Sequence, residues 1–212
     1  MKHLLVIVFS LAVALLGACT EPDRPSISLF LAVERGDLDQ LERHIYWGTD
    51  INTALPNGVY PLHAAAQKGR FVMVRNLLKH GALIDQQIAD GSTALDVAIL
   101  AGRTQVAELL LKEGAQLDAS ALLAKAAQIG STDRDTVRFL IARGADTEFR
   151  DASGDTPLLT AIRQDNHRLA SHLVNQGADV NAATADGKSA LQLATELKLP
   201  EIVSLLTRQG AR

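Results

Sequence analysis

The sequence predicts an all-α solenoid of about six stacked helix–turn–helix units with short β-hairpin fingers. The first observation is a glycine that recurs at intervals of 33, 33, 30, 33 and 33 residues along the 212-residue chain. The second is an apolar segment with helical spacing directly before these glycines. The third is the composition, because aromatic residues make up only 4% of the chain, which disfavours a β-sandwich. The recurring glycines are Gly48, Gly81, Gly114, Gly144, Gly177 and Gly210.

The units repeat one order of elements. A turn rich in Gly, Pro, Ser and Thr precedes a short helix, and a break, a second helix and a closing glycine follow. The first helices open at residues 62–65, 95–98, 158–161 and 191–194, and the breaks lie at Gly69, Gly102 and Gly130. The first unit begins at Leu29 without a hairpin, and the last ends at 210–212 directly after its second helix. Terminal units of a solenoid are expected to be atypical in this way.

These motifs resemble the ankyrin-repeat family. Residues 155–158 read DTPL, residues 177–181 read GADVN, and residues 60–66 keep Pro-Leu-His within YPLHAAA. The resemblance covers about residues 28–212 and implies an ankyrin-repeat solenoid whose concave surface binds another protein. It also implies that His63 ties its turn together by hydrogen bonds. We therefore assign residues 28–212 to an ankyrin-repeat domain, with repeats ending near 52, 85, 118, 148, 181 and 212.

The 30-residue interval indicates an altered fourth unit. Nine residues lead from Gly114 to Leu123, whereas fourteen lead from Gly81 to Leu95. Between Ala126 and Gly144, in contrast, the unit is two residues longer than its neighbours. We expect a truncated finger before its first helix and a longer loop at 131–135 between its two helices.

The N-terminus carries a targeting pattern. A short basic start, 1–3, precedes an apolar run of 13 residues at 4–16, which is too short to span a bilayer comfortably and fits a signal-peptide core. Leu16-Gly17-Ala18-Cys19 then resembles the bacterial lipobox. The resemblance implies a signal peptide at 1–18, cleavage before Cys19 and lipidation of that cysteine. The alternative is an ordinary cleaved signal peptide with an incidental cysteine.

Lipid on Cys19 would anchor the mature chain on a bacterial membrane, facing the periplasm. Thr20 follows the cysteine where an Asp would resemble an inner-membrane retention signal, so the outer membrane is favoured over the inner. Residues 19–27 are expected to be the lipidated cysteine and a short extended tether, because 20–26 are polar and include Pro22 and Pro25.

The remaining residue patterns disfavour catalysis. The formal net charge is −3 and no basic run occurs, which disfavours nucleic acid as a partner. The histidines have no Cys or carboxylate at metal-site spacing. A phosphate-binding glycine loop and a nucleophile elbow are both missing from the sequence. We therefore expect no enzymatic activity, no metal, no cofactor and no small-molecule substrate.

Alignment of the units places a set of side chains on the concave surface, at finger tips and at the exposed ends of the first helices. They are the candidate partner-binding residues Val59, Gln67, Lys68, Asp90, Ser92, Leu100, Ala101, Gln128, Ile129, Asp155, Arg163, Gln164 and Lys188. The central members, Val59, Leu100, Ala101 and Ile129, are apolar, and contiguous apolar exposure often marks an interface. The hypothesis is that a partner docks there, beside the truncated finger. The alternative is that Leu100 and Ile129 pack onto a neighbouring helix.

The leading functional hypothesis is a membrane-anchored, periplasm-facing scaffold that binds an unidentified protein. Two rivals follow from the family resemblance. One is an immunity or inhibitor protein that neutralises a secreted effector, such as a lipase acting on periplasmic membranes. The other is an ankyrin factor associated with oxidative stress. Tyr46 and Trp47, close to the tether, suit a membrane interface, but such residues are more often core or capping residues.

Overall fold

The computed structural model describes residues 21–131 and 133–212. Within them the chain forms twelve α-helices in six consecutive pairs, which we call units one to six, and it forms no strand. An isolated antiparallel bridge joins Ala183 to Ser189. The helices are α1 (Leu29–Arg35), α2 (Leu38–Tyr46), α3 (Pro61–Gln67), α4 (Phe71–Lys79), α5 (Ala94–Leu100), α6 (Thr104–Lys112), α7 (Ala119–Gln128), α8 (Arg134–Ala142), α9 (Pro157–Arg163), α10 (His167–Asn175), α11 (Ala190–Glu196) and α12 (Pro200–Arg208).

The helices form two rows. The first helix of each unit belongs to an inner row, in which α3 packs on α5, α7 on α9 and α9 on α11, and the second helices form an outer row. A leucine is fully or nearly fully buried at the same place in four successive inner helices. These leucines are Leu62, Leu95, Leu123 and Leu158. One apolar core therefore runs along the stack, and the predicted helical solenoid is confirmed.

The turn residues determine where the inner helices begin. At α5 the Thr93 hydroxyl accepts a hydrogen bond from the Asp96 N–H, and the Asp96 carboxylate accepts one from the Thr93 N–H. Ser189 repeats this arrangement at α11. Pro61 and Pro157 occupy the first position of α3 and α9, where a helix needs no N–H donor. Each cap is worth about 1 kcal/mol, so short helices of seven residues start at defined positions.

A residue with left-handed backbone follows soon after each inner helix. In units one to four it is a glycine with φ between +68° and +73°. These glycines are Gly36, Gly69, Gly102 and Gly130. Units five and six have Asp165 (φ 52°) and Lys198 (φ 60°) there instead. The predicted break is thus confirmed at three of these glycines and is kept without glycine in the last two units.

Side chains at the start of four outer helices join units two to five to the unit before each of them. Each donates a hydrogen bond to a backbone carbonyl at the end of the preceding inner helix. The pairs are Arg70 to Glu34, Arg103 to Gln67, Thr136 to Ile99 and Asn166 to Gly130, at 2.8 to 3.3 Å. Arg70 lies so close over Gly36 that any Cβ at Gly36 would overlap its guanidinium.

Unit four differs from the others as expected. Only residues 115–118 separate Gly114 from α7, whereas 82–93 separate Gly81 from α5, so the predicted truncation is confirmed. Residues 129–133 separate α7 from α8, two more than the three residues between α5 and α6. The longer loop is therefore also confirmed, but it ends earlier than predicted, because α8 already begins at Arg134.

Units three and four are joined less closely than their neighbours. At the junctions two–three, four–five and five–six, inner helices pack on inner helices and outer on outer, but α5 and α7, and likewise α6 and α8, approach each other less closely. Polar side chains span this junction: Lys125 reaches Asp90 of unit three, and Arg143 pairs with Glu108 of α6. At the three–four junction neither row of helices therefore packs as closely as at these three junctions, although the apolar core continues across it.

The N-terminal segment is docked on unit one. The Trp47 indole N–H donates to the Pro22 carbonyl at 3.1 Å, and the Gln40 side-chain oxygen accepts from the Ser26 N–H at 2.8 Å. The Arg24 guanidinium lies 4.9 Å from the centroid of a Trp47 ring. Side chains of unit one therefore hold the backbone of residues 22–27, and the role of 19–27 as a lipidated tether stays a prediction.

Candidate functional site

Fingers frame the concave face. In the finger of unit three the Ile88 N–H donates to the Ser92 carbonyl at 3.0 Å, and the Gly91 N–H donates to the Ile88 carbonyl at 2.9 Å. The same two bonds recur in residues 55–59, 151–155 and 184–188. The glycine at the fourth position has φ between +78° and +84°, a conformation that favours glycine. We name them finger two, three, five and six after their units; residues 115–118 form no such turn.

Two of the predicted contact residues lie inside their fingers. Ser92 is 2% exposed and Asp155 is 4% exposed, so the prediction is wrong for these two as surface contacts. The Ser92 carbonyl accepts a hydrogen bond from His63 Nε2 of unit two, and the Asp155 carboxylate accepts one from Arg163 Nε. The last residue of each of these two fingers is therefore buried and helps to hold the finger. The His63 bond fastens finger three to the preceding unit.

Lys125 on α7 holds finger three from across the three–four junction. Its ammonium donates to the Asp90 carboxylate at 2.9 Å and to the Ser92 hydroxyl at 2.6 Å. The bond from Lys125 is the main cause that lowers the pKa of the Asp90 carboxyl from 3.8 to about 2. Because the Asp90 side chain is 57% exposed, solvent screens this pair, and it contributes no more than about 1 kcal/mol.

The other eleven predicted residues lie on or near the surface. Seven of them are exposed: Gln67, Lys68, Asp90, Gln128, Ile129, Arg163 and Gln164. Four are partly exposed: Val59, Leu100, Ala101 and Lys188. The solenoid therefore presents most of the predicted set to solvent.

Ile129 and Leu100, the centre of the predicted apolar set, differ in exposure. Ile129 follows α7 and is 58% exposed, whereas Leu100 is partly buried and packs against the core. The alternative of packing on a neighbouring helix thus describes Leu100, and the exposed apolar surface is at Ile129. Leu197, at the equivalent position of unit six, is 44% exposed and was missed by the prediction.

The truncated finger leaves a notch beside α7. This groove has a volume of about 460 Å³ and lies between finger three, at Asp90 and Gly91, and the side chains of Leu122 and Lys125. Three further carboxylates line it: Asp85, Asp96 and Asp118. The notch is therefore an acidic opening at the place where other units carry a finger.

Gln128 connects the other end of α7 to finger five. Its side-chain amide donates to the Asp151 carboxylate at 2.9 Å, and the Gln128 carbonyl accepts from the Gln164 amide at 2.7 Å. Because Lys125 contacts finger three and Gln128 contacts finger five, α7 braces both neighbouring fingers. Ile129 follows Gln128 directly and so lies next to this braced surface.

Units five and six carry ion pairs of opposite polarity. In unit five the finger supplies the acid, Asp155, and the helix supplies Arg163. In unit six the finger supplies Lys188, which contacts Glu196 of α11 at 2.7 Å. The hydrogen bond that Arg163 donates to Asp155 raises the pKa of Arg163, and the bond that Lys188 donates to Glu196 raises the pKa of Lys188. Both predicted cations thus remain charged and are held in place by acids.

Lys125 was the positioning residue that the sequence prediction omitted. It occupies a place in α7 at which the aligned inner helices have Ala64, Val97 or Thr160. A charged residue at an otherwise apolar or neutral position was the available indication. Its partner, however, lies 35 residues away in the chain.

The described residues form no group of three or more His, Cys, Asp or Glu side chains suited to holding a metal ion. Across 21–131 and 133–212, none of the helices has the length and apolar character needed to cross a membrane. Cys19 and the segment 1–18 lie outside the described residues, so their predicted lipidation and cleavage remain predictions.

Stacked helical pairs with turn fingers and a concave face define a repeat scaffold for binding other proteins. The family model for ankyrin repeats (3 copies) matches residues 29–121 and again residues 123–212. The chain belongs to the ankyrin-repeat family, and the fold implied by its sequence motifs is confirmed. Ankyrin repeats bind protein partners, and they typically act as scaffolds rather than enzymes.

Curated relatives match the chain over only a part of their own length. The potassium channel AKT1 of Arabidopsis thaliana is 40% identical over 186 residues, which are 86% of this chain and 21% of the channel. A putative ankyrin repeat protein, FPV031 of fowlpox virus, is 35% identical over 98 residues, 45% of this chain and 28% of its own length. The chain therefore spans less than a third of these relatives.

Solved structures match over most of the chain. The ankyrin repeat domain of Bcl-3 superposes with a TM-score of 0.71 at 28% identity, covering 90% of this chain and 89% of that one. A second match is a chain from the complex of the predatory endopeptidase Bd0816 of Bdellovibrio bacteriovorus with the immunity protein Bd3460. Its TM-score is 0.68 at 26% identity, and the match covers 87% of this chain and 99% of that one. The ankyrin repeat domain of human ASB11 also has a TM-score of 0.68 at 26% identity, and the match covers 88% of this chain and 85% of that one.

Proposed function

We propose that the chain is a membrane-anchored bacterial lipoprotein that binds a protein in the periplasm through its concave face. The observation that carries the binding site is Ile129, which is 58% exposed between fingers three and five. Covering this side chain with a partner contributes roughly 1–2 kcal/mol, since fully burying an isoleucine is worth about 1.5–3 kcal/mol. Polar neighbours, Gln128 and Gln164, supply a hydrogen-bonding rim.

A pair of aspartate substitutions tests this site. Ile129→Asp places a charge at the proposed centre, whereas Leu83→Asp makes the same change at a side chain that is 55% exposed on the loop after α4. With a photo-crosslinking residue at Gln128 of the full chain in cells, we expect an adduct that Ile129→Asp reduces at least tenfold and Leu83→Asp leaves unchanged. An adduct equally strong in both variants would place the partner elsewhere.

The anchor has its own test. We expect the mature N-terminus to be Cys19 bearing a diacylglycerol, measured by mass spectrometry of the membrane fraction. Cys19→Ala should release the protein from that fraction without changing its fold. A mature N-terminus at another residue, or a chain that stays bound to membranes as Cys19→Ala, would contradict lipidation.

A second candidate, an immunity or inhibitor protein for a secreted effector, has one observation in its favour. The chain from the endopeptidase–immunity protein complex is matched over 99% of its length and 87% of this chain, so the two chains have similar extents. In this proposal the concave face blocks a hydrolase that reaches the periplasm, and a peptidase is then a candidate class beside the lipase suggested by the family resemblance.

Survival of cells separates the candidates. For an immunity protein, deletion of the gene should sensitise cells to an effector encoded beside it, and the wild-type chain but not Ile129→Asp should restore growth. Full resistance of the deletion strain to neighbouring effectors would leave the scaffold role as the better account.

A further inference from the structure

The docked N-terminal segment determines which part of the solenoid lies nearest to a lipid anchor. The Pro22 carbonyl is fixed to the Trp47 indole and the Ser26 N–H to Gln40. Pro22 is the third residue after Cys19, and three residue steps reach at most about 11 Å. With acyl chains on Cys19, as in the proposed function on which this inference rests, the Trp47 region of unit one must lie at the membrane surface.

An aromatic and apolar surface is exposed at this place. Tyr46 is 54% exposed, Trp47 38% and Val72 46%, and the two aromatic rings meet edge to face with centroids 5.6 Å apart. Tyr46 and Val72 line a shared groove of about 640 Å³ between α2 and α4. These three residues form what we call the anchor-proximal patch. Apolar side chains that are exposed next to one another often mark an interaction site.

Cationic side chains border the patch. Arg75 and Lys79 line the same groove beside His80, and the acid on its wall is Glu42, which accepts a hydrogen bond from Asn76. The Arg24 guanidinium lies over Trp47, on a segment that also carries Glu21 and Asp23. The groove lining, with Arg75 and Lys79 against Glu42, is therefore net positive, which complements anionic phospholipid headgroups.

We propose that the anchor-proximal patch seats on the bilayer and binds phospholipid headgroups, so that the outer edge of units one and two lies on the membrane. Amphipathic Trp and Tyr rings favour the headgroup level of a bilayer. Arg and Lys near an anionic surface each add attraction of about 1 kcal/mol. The lipid anchor keeps the protein at the membrane, and the patch determines how the solenoid is oriented there. The concave face with Ile129 then points to a partner from a fixed position.

Trp47 reports on this contact directly, because it is the only tryptophan in the chain. The test uses the full mature protein, acylated and reconstituted in phosphatidylcholine–phosphatidylglycerol vesicles with or without brominated acyl chains. We expect the brominated lipid to reduce Trp47 fluorescence at least twofold. In the matched control, Trp47→Phe with Leu197→Trp, the tryptophan lies in unit six, and we expect less than a tenth of its emission to be lost.

Charge reversal tests the headgroup contact. Arg75 and Lys79 are exposed, so Arg75→Glu with Lys79→Glu should fold normally. We expect this variant to lose at least half of the quenching in vesicles that contain phosphatidylglycerol and to match the wild type in pure phosphatidylcholine.

The outcomes distinguish this inference from the proposal beneath it. If mass spectrometry finds no diacylglycerol on Cys19, the anchor and the seated patch are both wrong. If the protein is acylated but brominated lipid does not quench Trp47, the seating is wrong and the anchor stands. Protection of Trp47 that requires an added protein rather than lipid would make the patch a protein interface and also overturn the inference.

Discussion

Arg70 of unit two contacts unit one at Gly36, where the absence of a side chain leaves room for the guanidinium. Gly36 has φ +73°, and the Arg70 guanidinium occupies the space of a Cβ while donating to the Glu34 carbonyl. Gly36→Ala should lower the free energy of unfolding by about 2–3 kcal/mol. Left-handed alanine accounts for about 1 kcal/mol and the displaced hydrogen bond for another 1–1.5. Urea unfolding followed by circular dichroism measures the change.

Gly48 provides the matched control. It has nearly the same φ, +74°, but nothing lies within 4 Å of a Cβ placed there. Gly48→Ala should therefore cost only about 1 kcal/mol, the backbone part of the effect. Equal losses for the two alanines would mean that the Arg70 contact contributes nothing.

His63 makes stability depend on pH. It is 1% exposed, and burial lowers its pKa below the ordinary 6.5. The unfolded chain then binds the proton more readily than the folded chain does. The stabilisation that comes from neutral, buried His63 should be complete above pH 6.5 and should be lost as the pH falls through and below that value. We expect the Tm of the wild type to fall more between pH 7.5 and 5.5 than that of His63→Gln.

An exposed histidine separates this effect from general acid sensitivity. His80→Gln, on the outer surface, should keep the pH dependence of the wild type. Identical pH profiles for wild type and His63→Gln would rule out His63 as the source.

Among elements, α7 and finger three form a pair that Lys125 holds together. Lys125→Met should return the Asp90 pKa from about 2 towards 3.8, because the bond from Lys125 is the largest cause of its depression. The stabilisation from this pair is complete above pH 3.8 and is lost as the pH falls through about 2. At neutral pH we expect a loss of no more than about 1 kcal/mol, with faster amide exchange at Gly91. Carboxyl NMR titration measures the pKa.

Lys112→Met is the control for Lys125→Met. Lys112 ends α6 and is exposed, so its removal should leave the Asp90 titration as it is in the wild type. A similar Asp90 shift in both variants would indicate a change in overall charge rather than loss of a specific bond.

For the whole molecule, the wider three–four junction predicts two cooperative units. Solenoid repeats are stabilised mainly by their nearest neighbours, so a weak interface divides the folding free energy. Native-state hydrogen exchange should show residues 29–112 and 119–212 opening with separate free energies. A single opening energy shared by α3 and α9 would contradict this division.

Core substitutions on either side of the junction test whether the two halves open separately. Leu41 and Leu169 are both fully buried, one on each side of the junction. Truncation of either to alanine costs about 2–5 kcal/mol. We expect Leu41→Ala to speed exchange mainly in units one to three, and Leu169→Ala mainly in units four to six.

Periodicity made the architecture predictable. Glycines such as Gly81 and Gly114 mark backbone that must turn left-handed, and the apolar segments before them mark the helices, so the position of each unit follows from local chemistry. The missing finger could also be predicted, since a deletion shifts the spacing between Gly114 and Leu123. The left-handed residues Asp165 and Lys198 had to be seen in the structure, because they lack the glycine that marks the break elsewhere.

Long-range side-chain contacts escaped the prediction. Ser92 was assigned to the surface, but contacts from His63 and Lys125 cover it, and the alignment of units carries no information on either contact. Docking of residues 22–27 depends on Gln40 and Trp47 in the same way. The repeat pattern thus predicts backbone positions well, whereas side-chain burial depends on partners about 30 residues away.

The notch at unit four has one further consequence. A stack of similar units has an approximate translational symmetry. A partner that contacts only the repeating surface could therefore bind one unit further along with little loss of binding free energy. The finger is missing before α7, whereas α3, α5, α9 and α11 each follow a finger. A protrusion on the partner that fits the notch can therefore enter in only one register. The shortened unit four therefore distinguishes one position along an otherwise periodic surface.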